Sequence, residues 1–177
     1  MPSVLSHPAV PLALAIGAGT AVVPPRLAVV ACVASVLPDA DAIGYWLGVP
    51  YDSLLGHRGL THSLAFAVVV AAFCSAFAAR LGATAPVAFG VVLLCTASHG
   101  VLDAMTTGGM GVAFFSPFSN QRYFFPWQVI QVAPLGVRRF LSERGIAVLK
   151  SELTWVWLPC AVLALFGAGM RRTSRAG

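Results

Sequence analysis

The sequence predicts an all-α integral membrane protein. Only 10% of its 177 residues are charged while 58% are hydrophobic, and the mean hydropathy is +0.85. A soluble domain carries about 25% charged residues, so this chain has too few charges to cover a surface exposed to water. The apolar residues also form long runs that end at Pro, Gly or polar clusters, which is typical of membrane helices.

The length of the chain fits one domain, and we interpret residues 1–177 as a single membrane domain. Its polar motifs fall in a core at about 6–127, and an interfacial helix and a last span follow at about 138–170. The net charge of +5 comes mostly from arginines near the ends of apolar runs, which indicates contact with membrane lipids. No basic stripe with interleaved aromatic residues is present, so nucleic acid is not an expected partner. The sequence does not indicate an oligomeric state.

The first two apolar runs, at about 8–23 and 26–37, are separated by Pro24-Pro25, and the second run ends at Pro38. As helices they would be about 24 and 18 Å long, which is less than the roughly 30 Å of a bilayer core. We therefore predict a short N-terminal helical hairpin that packs against longer helices. The alternative is one broken span, which would separate the two ends of this region by roughly 45 Å.

Three longer apolar runs predict full-length transmembrane helices, at about 60–80, 84–104 and 153–170. Thr61 is the expected N-cap of the first, and the Thr106-Thr-Gly-Gly turn closes the second. The loop at about 105–137 is rich in Phe, Tyr and Trp, which favours a position in the membrane interface, folded over the polar motifs. Residues 138–150 mix Arg and Lys with apolar side chains and predict an amphipathic interfacial helix.

Three short polar motifs stand at the ends of apolar runs and contain three of the four histidines and three of the four aspartates. They are Leu37-Pro-Asp-Ala-Asp41, His57-Arg-Gly-Leu-Thr-His-Ser63 and His99-Gly-Val-Leu-Asp103. With a hairpin and three spans, these motifs and His7 all face the same side of the membrane. The four-residue spacing in the last motif also places its histidine and aspartate on one helix face. We therefore expect all four histidines and all four aspartates to meet at one membrane face.

Aspartates gathered beside apolar segments would repel one another unless cations balance their charge. The nearby fixed cations in the sequence are Arg58 and Arg122. One divalent ion would change the charge of three carboxylates from −3 to −1, and two ions would change it to +1. The donors are nitrogen and oxygen without cysteine, which favours zinc, with manganese or iron as alternatives. Two ions roughly 3.5–4 Å apart could also activate water and stabilise a leaving oxygen.

These motifs, in this order, resemble those of the LexA-regulated, membrane-bound, metal-dependent hydrolase family of YdjM-like proteins. The resemblance covers about residues 6–127, and the motif at 57–63 is quite specific. It implies a helical protein of the inner membrane with a hydrolase site. It also implies Arg58 and Arg122 as contacts for an anionic group. The metal ligands that it implies are His7, Asp39, Asp41, His57, His62, His99 and Asp103.

We therefore predict a membrane-bound, metal-dependent hydrolase of an amphiphilic or phosphate-ester, lipid-like substrate. The chain has no His-Glu-x-x-His motif, so a general base would be an aspartate or the metal's own water. We assign Asp41 and Arg58 to catalysis and Arg122 to substrate binding. The alternative is a divalent-metal transporter, or a metal-binding membrane protein without hydrolase activity. Transporter ligands usually lie near the membrane midplane, whereas these motifs lie at helix ends.

Overall fold

The computed structural model describes residues 1–134 and 136–176, so Leu135 of the predicted loop lies outside the described residues. No β-strand is found in the described part of the chain, and two isolated bridges occur within the 105–137 loop. The helices are α1 (Ala9–Ala18), α2 (Pro25–Val36), α3 (Leu64–Ser75), α4 (Ala78–Leu81), α5 (Ala85–Ala104), α6 (Val137–Phe140), α7 (Glu143–Glu152) and α8 (Leu158–Ala176), with 3₁₀ segments at Leu37–Tyr45 and Leu60–His62 and a π-helical segment at Leu153–Trp157.

Three continuous helical stretches are long and apolar enough to cross a bilayer. They are Pro25–Tyr45, Ala85–Ala104 and Glu143–Ser174, with 21, 20 and 32 residues. At about 1.5 Å per residue, 20 helical residues extend over roughly 30 Å, the thickness of the hydrocarbon core. The predicted all-α membrane class is therefore confirmed, but the long helices are not all the ones that the sequence indicated.

The α-helical part of the second run agrees with the prediction, because α2 ends at Val36, just before Pro38. The chain continues without a break into the first 3₁₀ segment, so the combined stretch Pro25–Tyr45 is longer than the predicted short arm. Pro38 stands in the first turn of that segment. A proline is tolerated in a first turn because its missing N–H would have no partner there.

The run at 60–80 gives a shorter helix than predicted. It is interrupted after Ser75 and resumes only as the four-residue α4. The Ser75 hydroxyl donates to the carbonyl of Ala72 at 2.8 Å, as the Ser98 hydroxyl does to the carbonyl of Cys95 within the unbroken α5. The N-cap is Ser63, whose side chain accepts from the N–H of Phe66 at 3.1 Å. Thr61, the predicted cap, lies in the short 3₁₀ segment before it.

The predicted interfacial helix at 138–150 is divided between α6 and α7, and α7 is continuous with the last span through the π-helical segment. No Gly or Pro occurs between Ile146 and Trp157, so nothing in this stretch stops the helix. The last span is therefore longer than the predicted 153–170 and includes α7, which precedes it.

Helix α5 lies at the centre of the bundle and packs against α2 and α3, while α1 packs against α8. Small side chains allow close packing, since a Cβ on Gly167 of α8 would lie 3.0 Å from the Cα of Gly17 in α1. The central core consists mainly of Leu27, Ala31, Ala71, Ala88, Val92 and Cys95. This packing brings the end of α5, the segment after α2 and the segment before α3 together.

Candidate metal centre

The polar motifs meet in a buried group that we call the central cluster. Its members are His7, Asp39, His62, His99 and Asp103. Asp39 is 9% exposed and the other four are 4% exposed or less. The structure thus brings together residues that are up to 96 positions apart in the sequence. Asp52, which we expected at the same face, is exposed and lies outside the cluster.

Four members of the central cluster are spaced as ligands of one ion would be. They are Asp39, His62, His99 and Asp103, each with one ligand atom within 4.8 Å of the others. The Nε2 atom of His62 lies 3.0 Å from His99 Nε2 and 3.4 Å from Asp103 Oδ2. Ligand atoms bound at about 2.0–2.1 Å to a tetrahedral zinc ion are about 3.3 Å apart. These distances therefore suit a divalent ion between the four side chains.

His7 faces the same two carboxylates from another side. Its Nε2 atom lies 3.8 Å from Asp39 Oδ2 and 3.9 Å from Asp103 Oδ1. The other oxygen of each carboxylate faces His62. The His7 ring also stacks on the ring of His99, with 3.7 Å between centroids. Each carboxylate therefore presents one oxygen to His62 and the other to His7, an arrangement in which carboxylates can bridge two ions.

Several buried polar atoms of the central cluster have no hydrogen-bond partner. Both oxygens of Asp39, both oxygens of Asp103 and both ring nitrogens of His7 lack one. Each unpaired buried polar group costs about 1–3 kcal/mol, and a charged group costs more. A divalent cation would provide the missing partner, and the nitrogen and oxygen donors suit zinc, manganese or iron. The residues present therefore fit the metal expected from the sequence.

Hydrogen bonds outside the cluster orient two of its histidines. His99 Nδ1 lies 2.7 Å from the carbonyl oxygen of Ser35. Because a carbonyl can only accept, Nδ1 carries the proton and the Nε2 lone pair faces the cluster. His62 Nδ1 lies 3.2 Å from Asp41 Oδ2, which favours the same tautomer. Both Nε2 atoms are thus prepared to bind a metal.

Asp41 differs from the carboxylates of the central cluster because protein donors occupy both of its oxygens. Its Oδ1 atom lies 2.6 Å from His57 Nδ1. Its Oδ2 atom accepts from the Thr61 hydroxyl at 2.6 Å and from the N–H of Arg58 at 3.3 Å. Asp41, His57 and His62 form a second group with metal-ligand spacing, which we call the flanking group. The structure therefore divides the seven predicted ligands between two groups that share His62.

Arg58 is fully buried and contacts the central cluster directly. Its Nε atom lies 2.9 Å from Asp103 Oδ2, as an ion pair without hydrogen-bond alignment. Its guanidinium donates to the Gly108 carbonyl and to the Thr106 hydroxyl, both at 2.9 Å. Its φ of +64° is rare for a residue other than glycine, and such strain is often found at functional sites. Arg58 therefore balances the charge of Asp103 inside the protein.

Arg122 is half-buried and forms hydrogen bonds to the loop that precedes His57. It donates to the carbonyl of His57 at 3.0 Å and to the carbonyl of Tyr51 at 2.7 Å. Its guanidinium also lies over the Tyr51 ring, 5.1 Å from the centroid. Burial lowers the pKa of Arg122 from its usual value. Of the two predicted anion contacts, Arg122 is the one with exposed surface.

Protonation differs between the histidines of the central cluster. Burial, with a contribution from His99, lowers the pKa of His7 to about 3, so its ring is neutral near pH 7. Burial also acts to lower the pKa of His62, but the nearby carboxylates, that of Asp103 foremost, outweigh it and raise the pKa to about 10. A metal at His62 Nε2 would compete with this proton, so metal binding there should release a proton.

Glu152 is a site-supporting residue that sequence reasoning missed. It is 1% exposed, and its carboxylate accepts from the backbone N–H of Ser3, from the Ser3 hydroxyl at 2.7 Å and from the Ser6 hydroxyl at 2.8 Å. Ser6 directly precedes His7, so Glu152 anchors the segment that carries this histidine. The available signal was a carboxylate within a long apolar helix, because such residues are usually functional.

Glu152→Ala is expected to weaken metal binding by about 10–100-fold, the usual effect of removing an outer partner of a ligand. Ser3 and Ser6 would lose their acceptor, and His7 would lose its anchor. Competition with a chelator measures the affinity, and thermal unfolding of the metal-free protein measures the structural cost. Glu143→Ala is the control, since Glu143 is exposed at the start of the same helix. Equal metal affinity in the two variants would contradict the positioning role.

Comparison with known proteins agrees with this architecture. A family model described as YdjM inner membrane protein matches residues 1–176. The inner membrane protein YbcI of Escherichia coli (strain K12) is 44% identical over 164 residues, which cover 92% of this chain and 95% of that protein. No solved structure matches the chain significantly. The three candidate spans fit the predicted location in the inner membrane. The chain belongs to the YdjM inner membrane protein family.

Proposed function

We propose that the chain is a membrane-bound, metal-dependent hydrolase of an amphiphilic phosphate ester. The central cluster is the observation that supports this proposal. It contains five converging His and Asp side chains, and six of their buried polar atoms have no hydrogen-bond partner. A protein that keeps so many unpaired donors and acceptors away from water needs a ligand to offset their cost. The resemblance to YdjM-like hydrolases favours hydrolysis as the reaction.

In this proposal the members of the central cluster are metal ligands. Asp39, His62, His99 and Asp103 would hold one divalent ion. His7, together with the two carboxylates that it faces, would hold a second ion. Zinc is the expected metal, with manganese or iron as alternatives, because the donor set combines imidazole nitrogen with carboxylate oxygen.

The residues around the cluster position these ligands. Asp41 and the Thr61 hydroxyl lie beside His62 Nδ1, and Asp41 is itself held by His57, which keeps the Nε2 lone pair of His62 directed at the metal position. Arg58 holds Asp103 in the same way. Asp41 and Arg58, the predicted catalytic residues, therefore position the metal ligands His62 and Asp103 in this proposal. Arg122, which has exposed surface, is the proposed contact for the substrate's anionic group.

The charge of the site suits a phosphate ester. When the histidines are neutral, the charges of Asp39, Asp41, Asp103 and Arg58 sum to −2. Two divalent ions would change this net charge to +2. A bound divalent metal would polarise a phosphoryl oxygen and lower the pKa of water. The protein supplies a largely dry site in which a positive remainder attracts an anion strongly.

A divalent-metal transporter is the alternative that the sequence left open. Asp103 is one residue from the end of α5, and Asp39 and His62 lie in 3₁₀ segments at helix ends. Transporter sites usually lie at the midplane of broken spans, so this placement favours an enzyme.

Purified protein in lipid nanodiscs, loaded with zinc or manganese, is expected to release phosphate from a long-chain alkyl phosphate. A chelator should abolish the release, and re-addition of metal should restore it. Asp103→Asn is the matched variant, because it removes a ligand charge with almost no change in shape. A wild-type protein that retains its metal but hydrolyses no phosphate ester would contradict the hydrolase proposal and favour metal binding without catalysis.

A further inference from the structure

We propose that an apolar groove beside Asp39 binds the acyl chain of the substrate, so that the substrate is a lipid that enters the site from the bilayer. This inference rests on the proposed function, because it takes the central cluster as the reaction site. It goes further by excluding water-soluble phosphate esters as the natural substrate and by assigning a binding surface for the hydrophobic part.

The groove runs along α2 and the first 3₁₀ segment, below the N-terminal segment. Its volume of about 590 Å³ lies within the range of roughly 300–1,000 Å³ that is typical of small-molecule sites. Except for Asp39 at one end, the side chains that line it are apolar. They include Val4, Cys32, Val33, Val36 and Leu37.

The groove approaches the reaction site at its most accessible member. Asp39 is 9% exposed, whereas His7, His99 and Asp103 are 0% exposed and His62 is 4% exposed. The Asp39 side chain therefore stands between the apolar groove and the cluster, and its two buried oxygens face His7 and His62. A molecule that fills both places needs an apolar chain and a polar end that binds metal, which describes a lipid phosphate.

The wall of the groove faces the lipid. Val29, Val33 and Leu37 are spaced four residues apart along one helix face and are 64%, 63% and 40% exposed. They belong to the candidate span Pro25–Tyr45, so their exposed surface would contact hydrocarbon in a bilayer. An acyl chain could thus enter the groove from the side without crossing water, and its head group would arrive at Asp39.

Val33→Trp tests the groove, and Val29→Trp is its matched control. The two valines are one turn apart on the same helix and almost equally exposed, but only Val33 lines the groove. With hexadecyl phosphate as substrate, Val33→Trp should lower kcat/KM by about tenfold or more, since even one methylene in an apolar pocket changes it by 10–200-fold. Val29→Trp should retain wild-type kcat/KM. Metal content and hydrolysis of butyl phosphate should be unchanged in both variants.

A second measurement does not depend on turnover. Hexadecyl phosphate with a photoreactive group at the chain end should label residues 29–40, and excess unlabelled hexadecyl phosphate should prevent this, whereas butyl phosphate should not. If unlabelled hexadecyl phosphate prevents the labelling but the protein hydrolyses no phosphate ester, the result would support the groove and overturn the hydrolase proposal. Equal effects of the two tryptophan variants, or labelling that no competitor reduces, would overturn the groove. A cross-link between two copies through Val33 would also overturn it, because another chain would then occupy the groove.

Discussion

Arg58→Ala is expected to destabilise the protein by about 3–5 kcal/mol, the usual cost of removing one partner from a buried ion pair. Asp103 would remain fully buried without its arginine partner, and Thr106 and Gly108 would lose the donor that Arg58 supplies. The centre should also lose metal affinity, because Asp103 would no longer be held in place. Thermal unfolding and metal analysis of the purified protein measure the two effects.

Two further variants separate the possible roles of Arg58. Arg122→Ala removes a half-buried arginine that donates only to loop carbonyls, so it should have a much smaller effect on stability. Arg58→Ala combined with Asp103→Asn should cost less than the sum of the single changes, because the two residues interact directly. If Arg58→Ala kept full stability and metal content and lost only turnover, Arg58 would be the anion contact that the sequence suggested.

The sequence was sufficient for the class of fold but not for the exact spans. Few charges and long apolar runs predicted membrane helices, because these are properties of composition. The errors occurred at local stop signals. The α-helix does end before Pro38, but a 3₁₀ segment continues the same stretch to Tyr45, which the stop signal at Pro38 does not predict. The helix also breaks after Ser75, where the apolar pattern contains no Gly or Pro to indicate an end.

The convergence of the polar motifs could be predicted because consecutive spans alternate in direction, and the central cluster agrees with that expectation. Contacts within the site could not be predicted in the same way. The sequence treats Asp39 and Asp41 alike, yet the first has unpaired oxygens and the second has donors on both. The contact between Ser6 and Glu152 joins residues 146 positions apart, and only the packing of α1 against α8 brings them together.

His99→Ala is expected to abolish retention of metal through dialysis, whereas His57→Ala should only weaken binding. His99 supplies a ligand atom of the central cluster. His57 contacts Asp41, which in turn orients His62, and loss of such an outer partner typically costs about 10–100-fold in affinity. If the wild type binds two ions as proposed, His7→Ala should leave one, because the four remaining members of the cluster keep their spacing.

Elemental analysis after dialysis and competition with a chelator distinguish these outcomes. Replacement of the exposed Asp52 by Ala is the control, since it removes a nearby carboxylate without touching either group. If His57→Ala lost metal as completely as His99→Ala, the flanking group would itself be a metal position, as the sequence resemblance implied. If His7→Ala kept the wild-type number of ions, the second position would not depend on His7. The hydrogen bonds on Asp41 favour the first pattern, because a carboxylate with donors on both oxygens has little remaining capacity to bind a cation.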